Sequence, residues 1–289
     1  MTDPGTPRVA VYLDFDNIVI SRYDQVHGRN SFQRDKAAGF HKNPGRLTTA
    51  TVDVSAIIDF ASSFGTLVLT KAYADWSSDV NAEYRGQLVG RAVDLVQLFP
   101  AAAYAKNGAD IRLAVDAVED MFRLPDLTHV VIVGGDSDYI ALAQRCKRLG
   151  RYVVGIGVAG ASSRSLAAAC DEFVTYDALP GIPTAAPIPA KKATKRAKSR
   201  APDDEPEPAD PQPAATGLLE RALRIGHEKD DADWLHNSAV KAQMKRMDPS
   251  FSEKSLGFRS FSDFLRSRSD VADLDESSTT RMVRLHRDN

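Results

Sequence analysis

The stretch HVVIVGGDSDY at 129–139 constrains the fold most. Apolar residues at 130–133, nearly all β-branched, run into Gly134-Gly135 and then Asp136-Ser137-Asp138, and IALAQRCKRLG at 140–150 follows with helical spacing. That succession predicts a buried strand, a tight turn and a helix. A second apolar strand, 9–13, likewise ends in acid, Asp14-Phe15-Asp16-Asn17. In a parallel sheet covered on both faces, ligands collect beyond the carboxyl ends of the strands. Two carboxylate clusters delivered to two strand ends predict a divalent-cation site.

A chain of 289 residues has room for one or two domains with real cores. No apolar run reaches the ~18 residues of a membrane span, and MTDPGTPR lacks the apolar centre of a signal peptide, so a cytoplasmic protein is expected. Cys146 and Cys170 fall in expected helices with no zinc-type spacing and read as reduced core thiols. A net charge of −2 gives no bulk attraction to nucleic acid, so any such contact must come from local basic patches.

In chain order, residues 18–50 show no clear period and read as a long basic loop, with Arg22, Arg29, Arg34, Lys36, Lys42 and Arg46 against Asp24 and Asp35. Structureless loops beyond ~12–15 residues are rare in compact domains unless they have a job, and this one reads either as a flap holding a phosphate backbone over the site or as a partly disordered solvated insertion. A helix is expected over 52–64, with Val54, Ile57, Ile58 and Ala61 on one face and Gly65 ending it. Strand 66–74 leads to Asp75, read as the cap of one helix over 80–91. Strand 94–99 precedes KNGAD at 106–110, which opens a helix over 111–122; Asp110 lies in its first turn and Asp116 about one and two-thirds turns on. Helix 137–149, strand 152–158, helix 163–170 and strand 173–176 complete an alternating α/β pattern with a mainly parallel sheet. Asp110, Asp136 and Asp138 also suit helix starts for purely structural reasons. Asp14, following five apolar strand residues, needs a partner or a cation.

Residues 180–215 are Pro/Ala-rich, with a basic block at 191–200 and an acidic one at 203–210, and read as a disordered tether between a domain at 1–179 and one at 216–289. The tail carries thirteen basic and thirteen acidic residues. Helical spacing at 218–225, 234–244 and 258–265 and strand-like runs at 271–274 and 282–285 predict three helices and a hairpin, a small winged-helix module.

Residues 9–177 resemble the NYN domain, a branch of the PIN-like nuclease fold that includes LabA-like proteins. The resemblance rests on YLDFDN at 12–17, YADW at 73–76, KNGADIRLAVDA at 106–117, GGDSDY at 134–139 and SSRSLAAACDEF at 162–173. The tail, 216–287, resembles the LOTUS or OST-HTH domain through LLERALRI at 218–225 and LGFRSFSDFLRS at 256–267. The resemblance implies a Rossmann-like parallel sheet with flanking helices and a metal-dependent endoribonuclease. Asp14, Asp110, Asp136 and Asp138 would be the acidic ligands of Mg²⁺ or Mn²⁺, with Asn17 beside them and Asp116 ranked second. Such carboxylates are hard oxygen donors suited to those ions. Lys241, Lys245, Arg246, Lys254, Arg259, Arg266 and Arg268 are the basic candidates for contact with RNA.

Two other readings compete. In a non-catalytic RNA-binding or adaptor protein the LOTUS domain would decide function, through RNA or through a protein partner such as a helicase. In a haloacid-dehalogenase-type phosphatase Asp14 would be a covalent nucleophile and Asp16 a general acid. Against the latter, Ile18 departs from that family's pattern, as does the spacing in GGDSDY. The sequence leaves the RNA substrate, DNA cleavage and oligomeric state open.

Overall fold

The structure, a computed structural model, describes residues 5–42, 44–99, 108–182, 211–230, 232–277 and 280–286. Lys106, Asn107 and most of the expected tether lie outside the described residues. By internal contacts the chain divides into two compact units, Met1–Ala186 and Pro187–Asn289.

In the first unit β1 (Arg8–Asp14) leads into α1 (Phe15–His27), α2 (Ser31–Ala38), a 3-10 turn (Phe40–Lys42), α3 (Pro44–Thr49) and α4 (Val54–Ser62). There follow β2 (Thr66–Ala74), α5 (Asp79–Ala82), α6 (Arg85–Gly90), β3 (Asp94–Gln97) and α7 (Gly108–Arg123). The unit ends with β4 (His129–Val133), a 3-10 turn (Ser137–Tyr139), α8 (Ile140–Arg148), β5 (Tyr152–Gly157), α9 (Arg164–Ala169) and β6 (Glu172–Thr175). The six strands are parallel and ordered β3-β2-β1-β4-β5-β6.

The alternation along β1 shows why the sheet is covered twice. Val9, Val11 and Leu13 pack on one face with Phe15, Ile18, Ile57 and Ile58 of α1 and α4. Ala10 and Tyr12 pack on the other with Leu113, Ala117 and Met121 of α7 and Leu142 of α8. Successive side chains of a strand point to opposite faces, so a strand apolar at every position must be sandwiched. Each Val, Leu or Phe so buried contributes roughly 1.5–3 kcal/mol. Cys146 and Cys170 are free and buried, and burial pushes both thiols up to about 12.

Three local expectations are corrected. Residues 18–50 are not a long loop but the bulk of α1, then α2, a 3-10 turn and α3. The period is hidden because α1 begins inside the strand-end motif: Phe15, Ile18, Val19 and Tyr23 form its buried face. Polar residues that look loop-like are used inward. Arg22 is buried with its guanidinium 5.3 Å from the Tyr176 ring centroid, and Asp24 accepts the backbone N–H groups of Asn30 and Phe32, both at 2.8 Å. The expected single helix over 80–91 is two short ones, α5 and α6. Asp75 does not cap α5, whose N-cap is Ser78; its carboxylate accepts instead from Ser77 N–H (3.1 Å), Ser77 Oγ–H (2.5 Å) and Gln97 Nε2 (3.0 Å).

The second unit contains α10 (Pro211–Asp230), β7 (Leu235–His236), α11 (Asn237–Met247), α12 (Phe261–Arg266), β8 (Ala272–Asp275) and β9 (Met282–Leu285). The hairpin β8–β9 is antiparallel and β7 adds to β9. Leu219, Leu223, Met244, Phe264, Leu265 and Val283 form its core. Three helices against a small antiparallel sheet is the winged-helix arrangement. No helix among the described residues is long and apolar enough to cross a membrane.

The turn between α1 and α2 provides a direct test. Asp24→Ala removes the acceptor of two backbone N–H groups and is expected to destabilise the protein by about 1–3 kcal/mol, with Asp24→Asn losing less. The urea midpoint measures this; an unchanged midpoint for Asp24→Ala would mean the carboxylate does not hold the turn.

Candidate metal centre and cleft

The sheet places its own crevice. From β1 the chain passes to β2 and β3 on one side, and from β4 to β5 and β6 on the other. The loops leaving β1 and β4 therefore diverge, opening a gap at the carboxyl ends of these two neighbours.

Asp14 is the last residue of β1 and caps α1, accepting Asn17 N–H at 3.2 Å. Beside it β4 gives way to Gly134-Gly135 and Asp136, which caps the following 3-10 turn by accepting Asp138 N–H at 3.2 Å. A Cβ on Gly134 would lie 3.0 Å from the Tyr139 ring and 3.4 Å from Asp14 Cβ. Glycine there lets the ring lie against the strand end, where Tyr139 Oη–H donates to Asp14 Oδ2 at 2.8 Å. Asn17 pins the same turn, its Oδ1 accepting Gly135 N–H at 3.1 Å.

Asp110 enters from the first turn of α7. Asp110, Asp136 and Asp138 bring carboxylate oxygens within 4.8 Å of one another. Asp14 sits behind them, 4 % exposed, and shares Tyr139 with Asp110. Burial pushes the Asp14 carboxyl up to about 7 against the pull of hydrogen bonds from Tyr139 and Asn17, with the charges of Asp110 and Asp16 adding to the rise. Asp110 is also raised, by burial and then by the charges of Asp136 and Asp138. Asp14, Asp110 and Asp136 form no ion pair among the described residues. Crowded hard oxygen donors of this kind fit a divalent ion.

Asp14, Asp110 and Asp136 line a cleft of about 630 Å³ whose wall also includes Phe32 and Lys36 of α2, Gln97, Asn81 and Arg112. Lys36 is exposed, and its charge joins hydrogen bonds from Ser77 and Gln97 in holding the Asp75 carboxyl below its usual range. Asp16 accepts from Asn81 Nδ2 (2.6 Å) and Asp75 N–H (3.2 Å). It is tied as an acceptor by two donors, which does not suit a phosphatase's general acid.

Of the residues expected at the site, Asp110, Asp136 and Asp138 come together, with Asp14 and Asn17 directly behind. Asp116 stands apart: its carboxylate accepts from Tyr73 Oη–H (3.0 Å) and Arg112 Nε (2.9 Å). Nearby, Asp120 takes Lys71 Nζ (2.7 Å) and Tyr12 Oη–H (3.2 Å). Of the cleft's other residues, Lys36 belongs to the basic stretch expected to hold a phosphate backbone, whereas the part played by Tyr139 is not evident from spacing alone. The one local sign of Tyr139 is its place three residues after Asp136.

In the second unit the basic candidates divide. Lys254 and Arg259 are exposed and form no ion pair among the described residues, and Arg246 is exposed with Nη2 on Gln243. Lys245 is half-buried. Lys241 pairs with Glu253 (2.5 Å), and Arg266 with Asp263 (2.5 Å) and Glu276 (2.8 Å). Arg268 is a packing residue rather than a contact for RNA: it is 7 % exposed, lies over the Phe258 and Phe264 rings at 5.0 and 4.6 Å, and donates to Gln212.

The raised carboxyls fix a sign. The folded state holds a proton on Asp14 more tightly than the ordinary value of 3.8 allows, so between pH ~4 and ~7 it binds more protons than the unfolded chain. Metal-free protein should therefore lose stability as pH rises through about 7, and Asp14→Asn should flatten that fall. Thermal melts in chelator from pH 4 to 8 test this; a fall of equal size in Asp14→Asn would assign it to other groups.

The family model for the NYN domain matches residues 8–177, more than half of the chain, and that for the OST-HTH/LOTUS domain matches 209–284. A crystal structure of a protein of unknown function from Vibrio parahaemolyticus is similar at 21% identity and a TM-score of 0.44, covering 61% of this chain and 96% of that one. No curated protein matches the chain. The chain belongs to the NYN-domain family, its PIN-like sheet followed by an OST-HTH/LOTUS domain.

Proposed function

We propose that the protein is a metal-dependent ribonuclease whose NYN domain hydrolyses RNA phosphodiester bonds and whose LOTUS domain recruits the RNA. The observation that carries this reading is the meeting of Asp110, Asp136 and Asp138 within 4.8 Å, with Asp110, Asp136 and buried Asp14 lining one cleft. Membership of the NYN family supports it. Asp14, Asp110, Asp136 and Asp138 would hold Mg²⁺ or Mn²⁺, which when bound supplies Lewis-acid polarisation of a phosphate and a lowered pKa for water.

The protein's own groups have separate tasks. Tyr139 and Asn17 fix the Asp14 carboxylate and the Gly134-Gly135 turn, so that the acids keep their spacing without rearrangement. Lys36 offers a cation to a phosphate further along the chain. The apolar side of the wall, Phe32 with Val19 and Ile20, suits the face of a nucleoside better than a second charge. The stretch before α10, expected from composition to act as a tether, would let RNA held by the LOTUS domain reach the cleft at raised local concentration; residues 211–215, expected to belong to it, are the first turn of α10.

The deciding experiment incubates labelled single-stranded and structured RNA with the protein in Mn²⁺, Mg²⁺ or EDTA. Cleavage should require the metal and fall at least ~100-fold in Asp110→Asn and Asp136→Asn, with melting curves and RNA binding retained. Full activity in both variants would remove these acids from the mechanism; RNA binding without cleavage under any metal would favour an adaptor. Lys36→Ala should raise KM several-fold while kcat stays within about twofold. Separately, Lys254→Glu with Arg259→Glu should weaken RNA binding by the whole chain and reduce the slope of log affinity against log salt by about two. An unchanged slope would place the RNA contact elsewhere.

A further inference from the structure

The cleft wall holds polar groups that the chemistry of the acidic cluster leaves unused. Asp75, Asn81 and Gln97 line it together with Phe32 and Phe99. Their hydrogen bonds are lopsided. Gln97 Nε2 donates to Asp75 Oδ1 (3.0 Å) and to the Leu98 carbonyl (2.7 Å), and Asn81 Nδ2 donates to Asp16 Oδ1 (2.6 Å) and to the Asp75 carbonyl (3.0 Å). These partners are carboxylate and carbonyl oxygens, so neither amide can be turned over without setting oxygen against oxygen. Each amide engages its nitrogen within the protein and keeps its oxygen in hand. The donors to the Asp75 carboxylate, Ser77 N–H, Ser77 Oγ–H and Gln97 Nε2, all converge on Oδ1 and leave Oδ2. Asn81 is the most telling. The residue is 4 % exposed, and its Oδ1 accepts no hydrogen bond among the described residues yet is not sealed from the cleft it lines. An amide oxygen so placed is ready for a donor that enters the cleft.

We propose that Asp75 Oδ2, Gln97 Oε1 and Asn81 Oδ1 form a pocket that selects guanine in the strand bound at the acidic cluster. The proposal rests on reading the cleft as an RNA site. The strand order sets the pocket beside the acids: Asp14 ends β1, Asp75 follows β2 and Gln97 ends β3, and these strands are neighbours. With strands ~4.8 Å apart, Asp75 and Gln97 stand roughly 5 and 10 Å across the sheet from Asp14, within reach of a base whose own phosphate lies at the acids.

The wall supplies both a platform and a choice. Phe99 is 82 % exposed, and an exposed ring in such a cleft stacks on any base. The oxygens discriminate. Guanine alone carries two adjacent donor groups on its Watson–Crick edge, N1–H and the N2 amino group. Adenine and cytosine each offer one amino group beside a ring acceptor, and uracil offers one N–H between two carbonyls, so each would turn acceptors toward acceptors. A metal ion or a basic side chain also seeks oxygens, but Lys36 stands in the way. Its charge joins the hydrogen bonds from Ser77 and Gln97 in holding the Asp75 carboxyl below its usual range, and it forms no ion pair among the described residues. A neutral, flat donor meets the oxygens without confronting that cation.

Calorimetric titration of the full chain with GMP, AMP, CMP, UMP and IMP in Mg²⁺ tests the pocket, and none of these has an internucleotide bond to cleave. GMP should bind about tenfold more tightly than AMP, CMP or UMP, and IMP, which lacks the N2 amino group, should lose most of that margin. Asp75→Asn should abolish the margin, whereas Phe99→Ala should weaken all five ligands alike and keep it. The IMP comparison needs no variant and stands even if Asp75→Asn does not fold. Equal affinities, no binding of any nucleotide, or a margin that persists against IMP or in folded Asp75→Asn would overturn the proposal. Cleavage of mixed-sequence RNA without base preference would likewise overturn it and leave the nuclease reading intact. A GMP margin in a protein that cuts nothing under any metal would keep the pocket and remove the nuclease.

Discussion

The hydrogen bond from Tyr139 to Asp14 is the contact around which the rest of the first unit is arranged. An ionisable carboxyl at the end of a strand that is apolar on both faces is expensive unless a donor meets it. Meeting it requires the ring of Tyr139 to pass over Gly134, which requires a residue without Cβ there, which in turn places Asp136 at the head of the next turn. The position of the acidic cluster is thus a by-product of satisfying one buried oxygen.

The same solution recurs deeper in the fold. Tyr73 donates to Asp116 and Tyr12 to Asp120, both acids lying one turn apart on α7. Each tyrosine comes from a sheet strand, and burial raises the pKa of each hydroxyl, so they remain donors throughout the ordinary pH range. These pairs fix how far α7 can slide on the sheet. That setting determines where Asp110, in the helix's first turn, meets the acids from β4.

Much of this was legible in the sequence, for identifiable reasons. Strands buried on both faces produce uninterrupted apolar runs, and the acids after 9–13 and 130–133 could be assigned to strand ends without any tertiary knowledge. Residues 18–50 were illegible because their order comes from long-range and inward-facing polar contacts: Arg22 on Tyr176, Asp24 on the backbone at 30 and 32. The role of Asp116 depends on Tyr73, 43 positions away, and no local spacing reveals it. Arg268 looks like a surface cation in sequence and is a core residue because three side chains close over its guanidinium. Spacing reports which face a residue occupies, not what is waiting there.

Helix α7 carries Asp110 at its start and the exposed apolar residues Ile111, Val115 and Phe122 along its outer side, so one rigid element faces two directions. A ligand that shifted or stiffened the first turn of the helix would also change the surface offered outward, and a partner on that surface would change the first turn in return. Thermodynamic reciprocity then requires the two affinities to alter by the same factor. The acidic cluster and the outer face of the first unit are thus two ends of one lever, and a change at either would register at the other.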